Sequence, residues 1–291
     1  MKKIVYCILS VLNSCMLSPQ ENKTSIALIE ENKAPMLIEE NKKLSLLLIG
    51  YRNDIPIFRD FNSDGLYCFD GEFKCYSKGK SGFAPIFCND GILIYAGIKH
   101  VGSCLLTNEV IITEGKTEKK VLLPNNVSWL TANMKGDTLF YTNGDNEVDH
   151  IRIFDVLKNT ETLGISLWYE EFWYLKGVCF YSKPNEKNWQ NDMDGHRYTY
   201  TTSIPPVKEG TLLSDVIVSS VNTISSDGNY LVATENFSEH LYCVINLVTQ
   251  EIKRITIEYP SGSTLFSFFY KNKIYFYSAS EVVAMYQIAP L

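Results

Sequence analysis

The sequence has no surplus of positive charge. Lys and Arg number 27 against 33 Asp and Glu, for a formal net charge of −6. Nucleic-acid affinity rests mainly on neutralising phosphates, and no Lys/Arg stripe interrupts the acidic balance, so a general polyanion-binding role is excluded. Histidine is scarce, at four residues, and the eight cysteines contain neither a CxxC pair nor the His/Cys spacing of a zinc site. There is no G-x-S-x-G, no Walker loop, no HExxH and no dinucleotide fingerprint. No cofactor is therefore expected, and no catalytic residue is nominated. A membrane-spanning apolar run is also missing. So is a sustained amphipathic helix: "LIEENKAPMLIEENKK" is broken by Pro35.

What is present is strand-forming material. Hydrophobic residues make up 45% and aromatics 13% of 291 residues, with 18 Tyr and 15 Phe. These residues fit a pleated, half-buried surface. Turn signals followed by short apolar runs recur along the chain. They are "NDGILIYA" (89–96), "KGDTLFYT" (135–142), "LKGVCFYS" (175–182), "SDGNYLVA" (226–233) and "KNKIYFYS" (271–278). A weaker member is "NKKLSLLLIG" (41–50). Anchored on Lys43, Gly91, Gly136, Gly177, Gly228 and Asn272, the spacings are 48, 45, 41, 51 and 44. A period in the forties with a strand hairpin in each unit marks a β-propeller. The second half of each unit adds another strand pair, clearest in "HIRIFDVLKNTETLGI" (150–165) and "HLYCVINLVTQEIKRITI" (240–257). Each unit then reads strand A, turn, strand B, loop, strand C, turn, strand D. One four-stranded sheet cannot bury both faces alone, whereas sheets stacked around a ring cover one another.

The expected fold is all-β, a single six-bladed propeller over residues 24–291. The last unit offers strands A, B and C before Leu291 and no D. "TSIALIEE" (24–31) is a spare strand that can serve as that D and close the ring, leaving no open edge. On this view the near-duplicate "LIEENK" at Leu28 and Leu37 marks successive strands of different blades.

The unit around Ser226, Asp227, Gly228, Tyr230, Leu231 and Ala233, continued by Asn246, Thr249 and Glu251, resembles the repeat of TolB-like and peptidase-associated propellers. The resemblance is good in this unit, fair over 135–165 and poor elsewhere, and it speaks to fold type. It implies a propeller that binds proteins or gates a separate catalytic domain. No hydrolase domain follows the repeats, so the peptidase role is not carried over.

Residues 1–20 read as a leader. Lys2 and Lys3 precede the mostly apolar run 4–12, which is too short for a transmembrane helix but suits the core of a signal sequence. Leu12, Ser14 and Cys15 resemble a bacterial lipobox, with Asn13 where a small or β-branched residue is usual. The resemblance implies lipidation of Cys15. The expected address is exported, either periplasmic or lipid-anchored in the cell envelope. The remaining cysteines sit mostly in apolar strand contexts, as small buried hydrophobes. A two-residue turn at Asp70-Gly71 would make Cys68 and Cys75 diagonal neighbours, close enough for a disulfide.

Propeller geometry puts the B–C and D–A connections on one end, and long loops on a rigid scaffold are where binding resides. The two longest B–C connections are read at 50–65 and 183–196. The candidate binding residues on this end are Arg52, Asp54, Asp145, Glu147, Asp149, Trp189, Asp192, Asp194, His196 and Glu239. Trp189 among polar neighbours is an interface-anchor type. Asp192, Asp194 and Gly195 imitate part of a calcium loop, but Gln190 and Thr201 stand where further oxygen ligands would be needed, so no metal is assigned. His100, His150, His196 and His240 recur at one repeat position. Adjacent sheets lie ~10 Å apart, too far for such residues to share one ion, so each is read as a turn-bonding histidine. Glu170 and Glu171 are adjacent on a strand and point to opposite faces, which removes a paired-carboxylate site. The expected function is a non-catalytic binding or scaffold propeller, monomeric, with a protein or glycan partner, no nucleic acid, and membrane contact only through the lipid. The rival is an exported hydrolase or lyase with an acidic site at the channel mouth.

Overall fold

A computed structural model describes residues 26–30, 44–63, 65–99, 106–143, 149–167, 172–175, 178–183, 197–201, 211–212, 220–260, 265–278 and 281–290. Twenty-four strands and no helix occur among them. β1 (Ile26–Glu30) stands apart in sequence from the unit it joins. The first unit is β2 (Leu46–Arg52), β3 (Ile55–Asp60), β4 (Leu66–Phe69) and β5 (Phe73–Ser77). The second is β6 (Phe83–Asn89), β7 (Ile92–Ile98), β8 (Leu106–Glu114) and β9 (Thr117–Leu122). The third is β10 (Trp129–Ala132), β11 (Thr138–Thr142), β12 (Asp149–Asp155) and β13 (Thr160–Leu167). The fourth is β14 (Phe172–Leu175), β15 (Val178–Lys183), β16 (Arg197–Thr201) and β17 (Thr211–Leu212). The fifth is β18 (Ser220–Ile224), β19 (Tyr230–Asn236), β20 (Leu241–Asn246) and β21 (Ile252–Thr256). The last is β22 (Phe266–Tyr270), β23 (Lys273–Ser278) and β24 (Glu281–Pro290), with β1 on its outer edge. The first five units are antiparallel meanders in chain order, and the last is a three-strand meander with the antiparallel β1 added at its outer edge. The first two are joined into one eight-stranded sheet by a short parallel pairing of β2 with β6.

Among the described residues neighbouring units meet face to face, and alternation within single strands shows why. In β23, Ile274 and Phe276 pack into a core shared with the fifth unit, beside Val232, Tyr242, Val244 and Ile255. The intervening Tyr275 and Tyr277 pack the other way, against Leu46, Phe58, Phe69 and Phe73 of the first unit. Both faces of the strand are covered, so the run reads as continuously apolar. The seam between last and first units is a cluster of rings. Phe268 lies 5.1 Å from Phe58 and 4.9 Å from Phe69, and it stacks on Tyr275 at 4.9 Å. Such pairs add ~0.5–1.5 kcal/mol beyond their burial. A third core joins the second and third units through Ile94, Val110, Leu130, Leu139 and Tyr141.

The turns are encoded locally. Asn53 and Asp54 have φ of 48° and 62°, and Lys271 and Asn272 have 48° and 57°. Two successive positive φ values make the two-residue hairpin turn whose twist suits its strands. Strand ends use side-chain acceptors instead. Asp155 Oδ1 accepts from the amides of Leu157 and Lys158 at 3.0 and 2.9 Å. Asn246 Oδ1 does the same for Val248 and Thr249, at 2.9 and 3.0 Å. This is the shared Asp/Asn that closes strand C in the sequence repeat.

Three expectations need correction. Residues 50–65 are not one B–C connection: they hold the end of β2, the Asn53–Asp54 turn, all of β3 and a short turn. "LSLLLIG" is therefore an innermost A strand and not a B strand. β3 accommodates Pro56 because β4 pairs with β3 only from Ile57 to Arg59, so the missing amide faces no β4 partner. The turn between β4 and β5 has three residues. Cys75 sits opposite Tyr67 and Cys68 opposite Lys74, so the two thiols leave opposite faces, and both are free. The second LIEENK copy lies outside the described residues.

Gly50 fixes how the first two units join. Its φ is +143°, β2 bulges between Leu48 and Gly50, and a Cβ there would stand 1.9 Å from the Cys88 carbonyl oxygen. Gly50→Ala should cost roughly 2–4 kcal/mol, because the atom in the way is backbone and cannot rotate aside. Gly71→Ala, at φ +82° with nothing within 4 Å, should cost only about 1 kcal/mol. Urea denaturation of the two variants checks the difference.

Candidate functional site

With strands A to D assigned, each unit has two ends. One carries the A–B and C–D turns, the other the B–C and D–A connections. Contacts between units keep the ends in common. The Asn53 amide donates to Asp90 Oδ1 at 3.0 Å, and Asn89 Nδ2 donates to the Met134 carbonyl at 2.9 Å, all on A–B turns. Lys271, on the A–B turn of the last unit, lies 3.4 Å from Asp70, on the C–D turn of the first.

The candidate residues divide between these ends. Arg52 and Asp54 flank and form an A–B turn, so they lie on the end opposite Glu239. Arg52 is occupied: its guanidinium donates to the Tyr76 hydroxyl and lies 5.8 Å from that ring's centre. Glu239 is exposed on the B–C turn of the fifth unit, and Asp149 opens β12 on the same end, opposite Leu167. Asp145, Glu147, Trp189, Asp192, Asp194 and His196 lie outside the described residues, as do Cys15 and the pair Glu170 and Glu171.

Among described residues the B–C end shows a feature that a search for charged residues passes over. β3 ends in Asp60 and β19 ends in Asn236. Asp60 Oδ1 accepts from the Asn62 amide at 3.1 Å, and Asn236 Oδ1 accepts from the Ser238 amide at 2.9 Å. Each turn thus brackets one aromatic residue, Phe61 or Phe237, and these rings are 44% and 47% exposed. Asp60 is itself buried and also accepts from the Ser45 amide at 3.0 Å and the Ser63 hydroxyl at 2.7 Å. The Arg59 guanidinium stands 4.5 Å from the Phe61 ring centre. The sequence signal is the recurrence of D-F-N-S (60–63) and N-F-S-E (236–239) at the end of strand B.

His240 closes the second of these turns. It has φ of 50° and is buried, and Nε2 donates to the Pro260 carbonyl at 3.1 Å. It pins the B–C turn to the chain leaving strand D, a contact beyond the turn-bonding role expected of it. Among the described residues no group of three or more His, Cys, Asp or Glu is placed to hold a metal ion.

Several other polar groups with shifted protonation belong to the framework. The Tyr51 hydroxyl accepts from the Phe269 amide at 3.1 Å and lies 3.4 Å from Thr223 Oγ1. One phenol thereby links the innermost strands of the first, fifth and last units. Burial pushes its pKa up to about 12, against the opposing pull of those two bonds. Burial, then the Glu161 carboxylate it donates to, pushes Tyr141 up to about 12. Glu161 also receives Arg152 at 2.9 Å. Burial alone pushes Tyr242 up to about 12. On the outer rim the Tyr270 hydroxyl, then Lys271, holds the Asp70 carboxyl below its usual range.

Alkali should therefore unfold the protein through these phenols. A tyrosine in an unfolded chain titrates near 10. Because the folded values are raised, their contribution is whole below pH 10 and is lost as pH climbs from 10 through 12. Stability from urea titrations should stay level on this account up to about pH 10 and then fall. Tyr51→Phe should cost ~1–3 kcal/mol at neutral pH by leaving the Phe269 amide unpaired, and should reduce the alkaline loss.

No protein-family profile matches the chain, and no curated protein matches it. Solved structures do. A structural-genomics protein of unknown function from Bacteroides thetaiotaomicron is similar with a TM-score of 0.52 at 10% identity, covering 89% of this chain and 73% of that one. A catalytically inactive virginiamycin B lyase from Staphylococcus aureus with quinupristin gives 0.49 at 12%, covering 90% and 99%. TolB from Acinetobacter baumannii gives 0.48 at 11%, covering 84% and 63%. At 10% identity the first of these shows shared fold alone, and the described residues form an all-β array of antiparallel four-strand units.

Proposed function

We propose that the chain is a six-bladed propeller exported to the cell envelope, where it serves as a non-catalytic binding module. On this reading residues 1–20 are the leader, Cys15 is lipidated and residues 24–291 form one domain. The meander units are the blades, with β1 as strand D of the last. Its pairing on β24, Ile26 opposite Pro290 through Glu30 opposite Tyr286, supports closure by the N-terminal strand. The partner is a protein or glycan, met on the B–C and D–A end.

The observation that carries the reading is the paired presentation of Phe61 and Phe237. A large ring held half-exposed on a rigid turn has already lost much of its conformational freedom, so little remains to be lost on binding. Aromatic side chains are also the residues that dominate interfaces. Two such rings stand on equivalent turns of the blades either side of the last, on the end that also carries Glu239.

The test compares wild-type protein with Phe61→Ala, Phe237→Ala and the double variant. Binding is read by cross-linking mass spectrometry on native cells and on a glycan array. Each substitution should cost ~2 kcal/mol, roughly 30-fold in affinity, with the melting temperature unchanged. Cross-links that map to the A–B turns, or affinity that ignores both phenylalanines, would sink the proposal. Removing residues 1–31 should lower the melting temperature by exposing the edge of β24, and an unchanged value would refute closure by β1. Mass spectrometry of the native N-terminus decides export: an intact Met1 on soluble protein rules it out.

A further inference from the structure

We infer that the chain stands on its membrane by the end carrying the A–B and C–D turns, with Leu157 and Val248 as apolar contacts to a phospholipid surface, and holds Phe61 and Phe237 away from it. The inference rests on the lipid anchor at Cys15 proposed above.

The direction of β1 comes first. It runs antiparallel to β24, so its first residue, Ile26, meets the last residues of that strand. That end of β24 is tied to the A–B turn of its own unit: the Ile288 amide donates to the Asn272 carbonyl at 2.9 Å, and Gln287 Nε2 donates to the same oxygen at 3.3 Å. The chain therefore enters the fold at the A–B end. Residues 16–25, between the lipidated cysteine and β1, reach at most about 35 Å even when fully extended. Setting the opposite end on the bilayer would make the tether run back along the last unit's strands of five to ten residues, about 17–33 Å, and spend nearly its whole reach, whereas the entry end needs none of it.

The second observation is independent of the anchor. Leu157 is 77% exposed and Val248 73%. Both lie on C–D turns, each two residues beyond the Asp155 or Asn246 that caps its turn. The side-chain acceptor holds the turn backbone, so the aliphatic group is presented outward. Lys116, Lys158 and Lys271 are exposed on turns of the same end, where amines can reach phosphates while their stems lie along acyl chains. Asp54, Glu72 and Glu114 are exposed there too. Their charge opposes attraction to anionic lipid, so the contact belongs to a zwitterionic surface and depends on the tether for its local concentration.

Amine-acylation footprinting tests this. Lipidated full-length protein is reconstituted into phosphatidylcholine–phosphatidylethanolamine vesicles and compared with the same protein in detergent. Labelling of Lys116, Lys158 and Lys271 should drop several-fold on vesicles, while Lys78 and Lys99, at the opposite end, stay unchanged. Leu157→Glu combined with Val248→Glu should restore much of the lost labelling. Protection at Lys78 and Lys99, or equal labelling at both ends, overturns the orientation. A second arm replaces residues 1–15 with a polyhistidine tag on nickel-chelating vesicles, which supplies a tether at the same place without lipidation. Uniform labelling there overturns the orientation whatever Cys15 carries. An unmodified Cys15 in the native protein removes the anchor, and with it the assignment of this end to a membrane.

Discussion

Double coverage is the constraint on which this fold depends. A four-stranded sheet whose strands are apolar on both faces must be covered twice, and among the described residues that cover is supplied at the seams of the fifth unit with the last, the last with the first and the second with the third. The seam between last and first units is the most demanding instance, because chain connectivity does nothing to bring its partners together. Phe268 must meet Phe58 and Phe69 across some two hundred residues of sequence. Rings suit such a seam: each buries a large area and packs edge-to-face with several partners. Tyr51 reinforces the same place from inside, and Asp70 with Tyr270 and Lys271 reinforces it at the rim.

That geometry separates the molecule into a framework and two surfaces. Most of the described ionisable groups with distinctive environments belong to the framework. Tyr51, Tyr141 and Tyr242 are held neutral by burial, and Glu235 grips Arg254 across its sheet at 2.8 Å. The surfaces differ in what their turns present. The B–C turns offer aromatic rings beside Arg59 and Glu239, and the C–D turns offer aliphatic tips among lysines and carboxylates. A ring on a stiff turn suits a shaped partner, whereas scattered aliphatic tips suit a surface without shape.

Much of the architecture was legible from periodicity, but not evenly. The units at Asp227-Gly228 and Asn272 read correctly, because their turn residues take positive φ and the following strands alternate faces. The first unit read out of phase. Asn53 and Asp54 form as tight a turn as any, yet neither is glycine, and Pro56 follows at once. The turn was visible only through strand pairing. That slip moved Arg52 and Asp54 to the wrong end of the molecule, since the end on which a turn falls follows from counting strands. His240 was expected to bond within its own turn, yet its ring reaches the Pro260 carbonyl, twenty residues on, beyond strand D. Phe61 and Phe237 were passed over because an isolated phenylalanine in sequence looks like core; the preceding Asp60 and Asn236 hold each turn so that the ring stays outside.

By itself the sequence determined the strand-rich class, the repeat of roughly one meander per forty-odd residues and the acidic balance of charge. These follow from local preference and composition, which need no partner. Only the tertiary structure decided which end each turn occupies, and that Gly50 admits the neighbouring Cys88 carbonyl. The physical reason is the same for both. Each depends on a residue whose neighbour is distant in the chain, and distance along the chain carries no record of approach in space.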